Sequence, residues 1–198
     1  MSDLKGVQAA GFDSGEFIVE QAKERANLYG ALYSKNQAPI SPYQNLTSNH
    51  EPEKSIIFWL RGVNKCNQFI GDVLTNAGFK MPTFVMKDGT EHYLNAERLP
   101  KQNKYFDKIC NLTEVKAGDV IVIDDLKRKG ESGAHVELVS FVDFAKKIMN
   151  LIGARSQGAA ERESLMLSEL PLDGSKLCGF TRTKANQTVY FLRPKLAD

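Results

Sequence analysis

Lys116-Ala117-Gly118-Asp119-Val120-Ile121-Val122-Ile123 and, after a polar loop, Gly133-Ala134-His135-Val136-Glu137-Leu138-Val139 decide what kind of fold this chain can make. The first stretch turns at Gly118-Asp119 and then runs four β-branched residues without a break, which predicts a buried strand. The second opens on a histidine and predicts a strand over His135–Phe144. A third strand covers roughly Ile148–Ala154. Lys176–Arg182 and Thr188–Arg193, turning near Ala185-Asn186, read as a closing hairpin.

Upstream of these strands the pattern is helical. Residues 15–33 place Phe17, Ile18, Ala22, Ala26, Leu28 and Leu32 at helical spacing, with Glu16, Glu20, Lys23, Glu24 and Arg25 largely opposite and Ser14 placed to cap. Such a stripe ordinarily buries itself, so the helix is expected to pack on the domain. Residues 35–54, with Pro39, Pro42 and Pro52, form a connecting loop, and Ser55–Trp59 is a short apolar segment. A second helix is expected from Cys66 to Ala77, with Cys66, Phe69, Ile70, Val73, Leu74 and Ala77 on one face and Gly78 ending it. Residues 80–105 are polar and irregular, with a turn at Asp88-Gly89. Helices first and an antiparallel sheet afterwards is an α+β order. Residues 1–55 are expected as an N-terminal helix and linker, and residues 56–198 as one domain.

Composition narrows the function classes. Twenty-six basic against 24 acidic side chains leave a net charge of +2, too small a bias to argue for a nucleic-acid partner. No apolar run approaches the roughly 20 residues of a membrane helix, so no membrane insertion is expected. The first residues, Met1-Ser2-Asp3-Leu4-Lys5-Gly6, lack the basic and apolar regions of a secretory signal. The expectation is a chain made in the cytoplasm, carried by some other route if it acts elsewhere. Cys66, Cys110 and Cys178 are odd in number and have no CxxC spacing, which argues against a disulfide framework and a structural zinc site. No metal and no cofactor is expected. Cys110 and Cys178 read as small buried packing residues.

Cys66 differs from the other two. At the first turn of a helix a thiol meets unpaired N–H groups and the positive end of the helix dipole, which favour thiolate, and Lys65 adds charge. The same N–H groups can serve an oxyanion. His135, at the head of an apolar strand with small neighbours before it, can reach a thiol on a packed helix and act as its base. His50 and His92 stand in polar surroundings and read as solvated. Lys127-Arg128-Lys129, just before His135, reads as a solvated charge run or as a contact for substrate carboxylates.

Lys65-Cys66-Asn67-Gln68-Phe69-Ile70-Gly71-Asp72-Val73-Leu74-Thr75-Asn76-Ala77-Gly78 resembles the nucleophile helix of the papain-like NlpC/P60 and CHAP-type cell-wall cysteine peptidases and amidases. Lys116–Val120 resembles that family's Gly-Asp-Val strand entry, and Gly133–Val139 its histidine strand. The resemblance spans roughly residues 56–195, and the variant around Cys66 is similar to amidase domains of bacterial toxins, closest to type VI secretion effectors. It departs at Lys65 and Asn67-Gln68, where many members have Asp before the cysteine and Ser-Gly after it. It implies a papain-like α+β fold and amide hydrolysis at peptidoglycan stem or cross-bridge peptides by Cys66 and His135. It also implies an antibacterial effector acting in a target cell's periplasm, secretion machinery to deliver it and a cognate immunity protein. The family's third polar residue falls near Gly153, which has no side chain. Asn150 or Ser156 then fills the role after a register shift, or a backbone carbonyl or water does. The rival expectations are a papain-like toxin or deamidase acting on a host protein, and an inactive binding module of the same fold.

Overall fold

The computed structural model describes residues 13–35, 65–85, 87, 89, 91–125 and 133–196. His50, the Pro-rich loop after Lys35, the Ser55–Trp59 segment and the Lys127–Lys129 run lie outside the described residues. The class is α+β: among the described residues two α-helices, α1 (Ser14–Tyr29) and α2 (Cys66–Asn76), pack against a mostly antiparallel sheet. A small hairpin of β1 (Thr83–Val85) and β2 (Glu91–Tyr93) follows α2. The main sheet comprises β3 (Phe106–Ile109), β4 (Val120–Asp125), β5 (His135–Asp143), β6 (Ile148–Arg155), β7 (Gly158–Ser164), β8 (Gly179–Arg182) and β9 (Gln187–Pro194).

Its order is β3-β9-β4-β5-β6-β7, with β8 also on β9. The last strand organises one end of this sheet. Residues Phe191–Pro194 pair with β3 and residues Gln187–Tyr190 with β8, while β4 runs along the opposite side of the same strand. Asn186, in the left-handed region at φ 52°, makes the tight β8–β9 turn expected near Ala185-Asn186.

The unbroken Val120–Ile123 run has a direct cause. Val120 and Val122 enter the cluster under the helices, and Ile121 and Ile123 enter a second cluster with Val139, Leu151, Phe180 and Phe191. A strand covered on both faces loses the usual alternation of apolar and polar residues. Strands β3 and β7 were not expected. β7, Gly158-Ala159-Ala160-Glu161-Arg162-Glu163-Ser164, is short of apolar residues but pairs with β6 along its whole length. The region expected to be irregular also holds the β1–β2 hairpin, and His92 there is half-buried and stacked on Phe84 at 5.8 Å, not solvated.

The first helix is rotated from its expected face. Ile18, Val19, Ala22 and Arg25 are buried, whereas Leu28 is 61% exposed. Its cap is Asp13, whose carboxylate accepts from Gly15 N at 2.8 Å, not Ser14. Gly118, at φ +90°, lies so close to the Gly15 backbone that a side chain would collide there. The Gly118-Asp119 turn therefore seats the start of α1. Asp119 itself is buried, accepts from Lys116 N at 2.8 Å, and forms a two-pronged pair with Arg193 of β9. Its role is to lock the strand entry.

Arg25 reaches inward because a partner waits there. Its guanidinium lies 3.3 Å from Asp72 of α2, and Tyr33 donates to the same carboxylate at 2.5 Å. Tyr93 of β2 touches the other oxygen at 3.4 Å. Burial pushes the Asp72 carboxyl above its usual range, with Arg25 and the two phenols opposing that shift. This cluster ties α1 and the small hairpin to the helix that carries Cys66.

Cys110 and Cys178 are not free packing residues, because they form a disulfide with Cα atoms 4.3 Å apart. Cys110 follows β3 and Cys178 precedes β8, the two strands that share one side of β9, so the topology brings them together. Leu112 N to Leu172 O and Gly174 N to Cys110 O, both 2.8 Å, continue the same seam.

Candidate active site

Cys66 is the first residue of α2, and Lys65 precedes it as the helix cap residue. Phe69 N makes the first helical bond, to Lys65 O at 2.9 Å, so the N–H groups of the opening turn are left for other acceptors. The thiol is buried, 5% exposed, and its residue is the one free cysteine among those described. Burial pushes the Cys66 thiol up. A side-chain hydrogen bond to His135, the charge of that ring, and the N–H groups of Val136 and Asn67 pull it down. The second set wins, and the thiol ionises below the value of a free cysteine. Lys65 contributes differently from expectation. Its ammonium is taken up by the carbonyl oxygens of Ser34 at 2.7 Å and Leu32 at 3.5 Å, behind the start of the helix.

His135 stands at the first position of β5, its side chain 27% exposed. Its Nε2 lies 2.5 Å from Glu137 Oε1, leaving Nδ1 as the nitrogen for the sulfur. The spacing explains the contact, since residues two apart on a strand project to the same side. Glu137 is fully buried and is held in turn by Arg155 Nε at 3.1 Å and by Arg162 of β7. The alternate residues Val136 and Leu138 pack under the helices, fixing the strand that carries the pair.

The structure does not bring Asn150 or Ser156 to His135. Asn150 pairs with Phe141, six positions along β5 from the histidine, about 20 Å at the usual strand rise. Ser156 lies in the exposed β6–β7 turn, where its carbonyl accepts from Lys35 N at 2.9 Å. Neither a backbone carbonyl nor a water is needed. The position over Gly153 is filled from the neighbouring strand, because a Cβ on Gly153 would stand 2.7 Å from Glu137 Cγ. The glycine that lacked a catalytic side chain is the space into which Glu137 fits. A signal for this was present: a charged residue two places after His135 inside an otherwise apolar strand.

The arrangement is a buried thiol, an imidazole close enough to draw it toward ionisation, and a buried carboxylate on the ring's Nε2. It can hold a thiolate and pass a proton. Among the described residues no group of three or more His, Cys, Asp or Glu could hold a metal ion, and no helix is long and apolar enough to cross a membrane. No family model matches the chain, and no curated protein or solved structure matches it either.

Proposed function

We propose that the chain is a papain-like cysteine hydrolase that cleaves an amide bond of peptidoglycan stem or cross-bridge peptides. The placing of His135 beside the Cys66 thiol, where it draws the thiol toward ionisation, with its Nε2 held by buried Glu137, carries this reading. His135 takes the thiol proton and Cys66 attacks the carbonyl carbon. The oxyanion turns to the N–H groups at the start of α2. His135 then gives its proton to the leaving amine, and the thioester is hydrolysed by a water that His135 activates. Glu137 keeps the ring in the tautomer and orientation that both steps need.

An intact thiol, base and orienting carboxylate favour an enzyme over an inactive binding module. The Cys110–Cys178 disulfide favours work in an oxidising compartment such as a periplasm, which fits an exported antibacterial effector with a cognate inhibitor protein. Purified sacculi should release new muropeptides, seen by mass spectrometry, with wild-type protein and none with Cys66→Ala. Protein that alkylates rapidly at Cys66 yet releases nothing from sacculi would sink the cell-wall substrate and redirect attention to protein amides.

A further inference from the structure

Among the described residues the charges beside the cysteine–histidine pair do not balance. Glu137 is one carboxylate facing two guanidinium groups, Arg155 at the end of β6 and Arg162 on β7. The two cations differ in position. Arg162 is about three-quarters buried and lies against Glu137, and burial brings its pKa down to about 10. The Arg155 side chain is 53% exposed and spends only its Nε on Glu137, so its two outer nitrogens make no hydrogen bond among the described residues.

The register makes Arg155 the neighbour of the base. Leu138 faces Ile152, and continuing the antiparallel count puts Glu137 across from Gly153 and His135 across from Arg155. Among the described residues, Asp124 and Asp125 at this end of the sheet belong to β4, which flanks β5 on its other side, and Glu97 lies near Asp124. A molecule lying over His135 therefore meets an unspent guanidinium edge on the β6 side.

We propose that the outer edge of Arg155, backed by Arg162, is a carboxylate subsite that selects substrates with a free carboxylate close to the scissile amide. This rests on the reading of Cys66 as the nucleophile. A guanidinium offers paired N–H groups that match a carboxylate, and charge-assisted bonds of this kind are roughly twice as strong as neutral ones. A bound carboxylate also completes the balance of two cations and two anions. Stem peptides carrying free carboxylates fit the subsite, and their amidated counterparts do not.

Two alkylating reagents of similar size test this without any substrate. Iodoacetate carries a carboxylate and iodoacetamide is neutral. In both, the thiolate sulfur bonds to the methylene carbon as iodide leaves with the electron pair. Adducts on Cys66 are followed by mass spectrometry in wild type, Arg155→Gln and Arg155→Lys, with folding checked by circular dichroism. The expected result is an iodoacetate-to-iodoacetamide rate ratio at Cys66 well above that of glutathione. That ratio should fall about tenfold in Arg155→Gln, on the scale of one charge-assisted pair, and only partly in Arg155→Lys, over and above any loss the two reagents share through the contact of Arg155 with Glu137. A ratio unchanged in both variants overturns the subsite. So does an equal fall in both rates, which would make Arg155 a support for Glu137 alone. If Cys66 reacts with neither reagent in wild type, the nucleophile reading fails, and the subsite falls with it.

Discussion

Two buried carboxylates in this molecule have nearly the same company and opposite outlets. Asp72 and Glu137 are both sealed from water, and each is met by arginine and by a second side chain at 2.5 Å. Around Asp72 the contacts end on two phenols, Tyr33 and Tyr93, inside the molecule. Around Glu137 they lead through a partly exposed imidazole to a thiol. A buried carboxylate is costly wherever it sits unless it is paired. What separates the two is where their partners lead, into the interior at Asp72 and to a partly exposed ring beside a thiol at Glu137.

The sharpest test of the comparison is to neutralise each carboxylate without changing its shape. Glu137→Gln should lower kcat by about 10²–10⁴, the range for removing the orienter of a nucleophile–base pair, with KM nearly constant and slower alkylation of Cys66. Gly153→Ala should act in the same direction more weakly, because its methyl would press on Glu137 from across the strand. If either variant only lowers the melting temperature and keeps full kcat, Glu137 is a brace like Asp72.

Asp72→Asn should reverse the pattern. Removing one partner of a buried ion pair costs about 3–5 kcal/mol, read as a lower urea midpoint, while kcat per folded molecule holds. A large loss of kcat in folded Asp72→Asn would erase the distinction between the two clusters.

The smallest effect belongs to a carboxylate at the surface. Asp13 caps α1, and the hydrogen bond from Gly15 N holds its carboxyl below the usual 3.8. A depressed folded value means that this contribution is fully present above 3.8 and is lost as pH falls through the lower folded value. Asp13→Ala should cost about 0.5–2 kcal/mol at neutral pH. In urea melts the gap between variant and wild type should close in acid.

The same contrast explains what could be read from the residues alone. Cys66 and His135 were legible because each stands at the start of a regular element, and element starts leave local marks: an apolar face for α2 and an apolar run for β5. The two carboxylates were not. Asp72 is 47 residues from Arg25 in the chain, and nothing near Arg25 announces a partner, so a charged residue on a helix was read as facing water. Glu137 leaves no mark of an element start, and the resemblance places the third member on the next strand, at Gly153. Glu137 lies directly opposite that glycine. The face of α1 failed for a related reason, since Arg25 falls seven residues after Ile18 and belongs to its inward stripe. Cys110 and Cys178 were misread because β3 was unrecognised, and without it no element placed Cys110 beside the start of β8.

That disulfide also has a bearing on the order of events in synthesis. Its cysteines are 68 residues apart, and the strands they flank touch only by lying along the same side of β9. Until Gln187–Pro194 has left the ribosome there is no rail on which β3 and β8 can line up. The link therefore finds its native register only once β9 is in place, and closing a loop of that length stabilises by about 4 kcal/mol. The edge farthest from β7 is thus sealed by an event that is both late and dependent on an oxidant. Cys66, buried at the head of α2, remains the one free thiol.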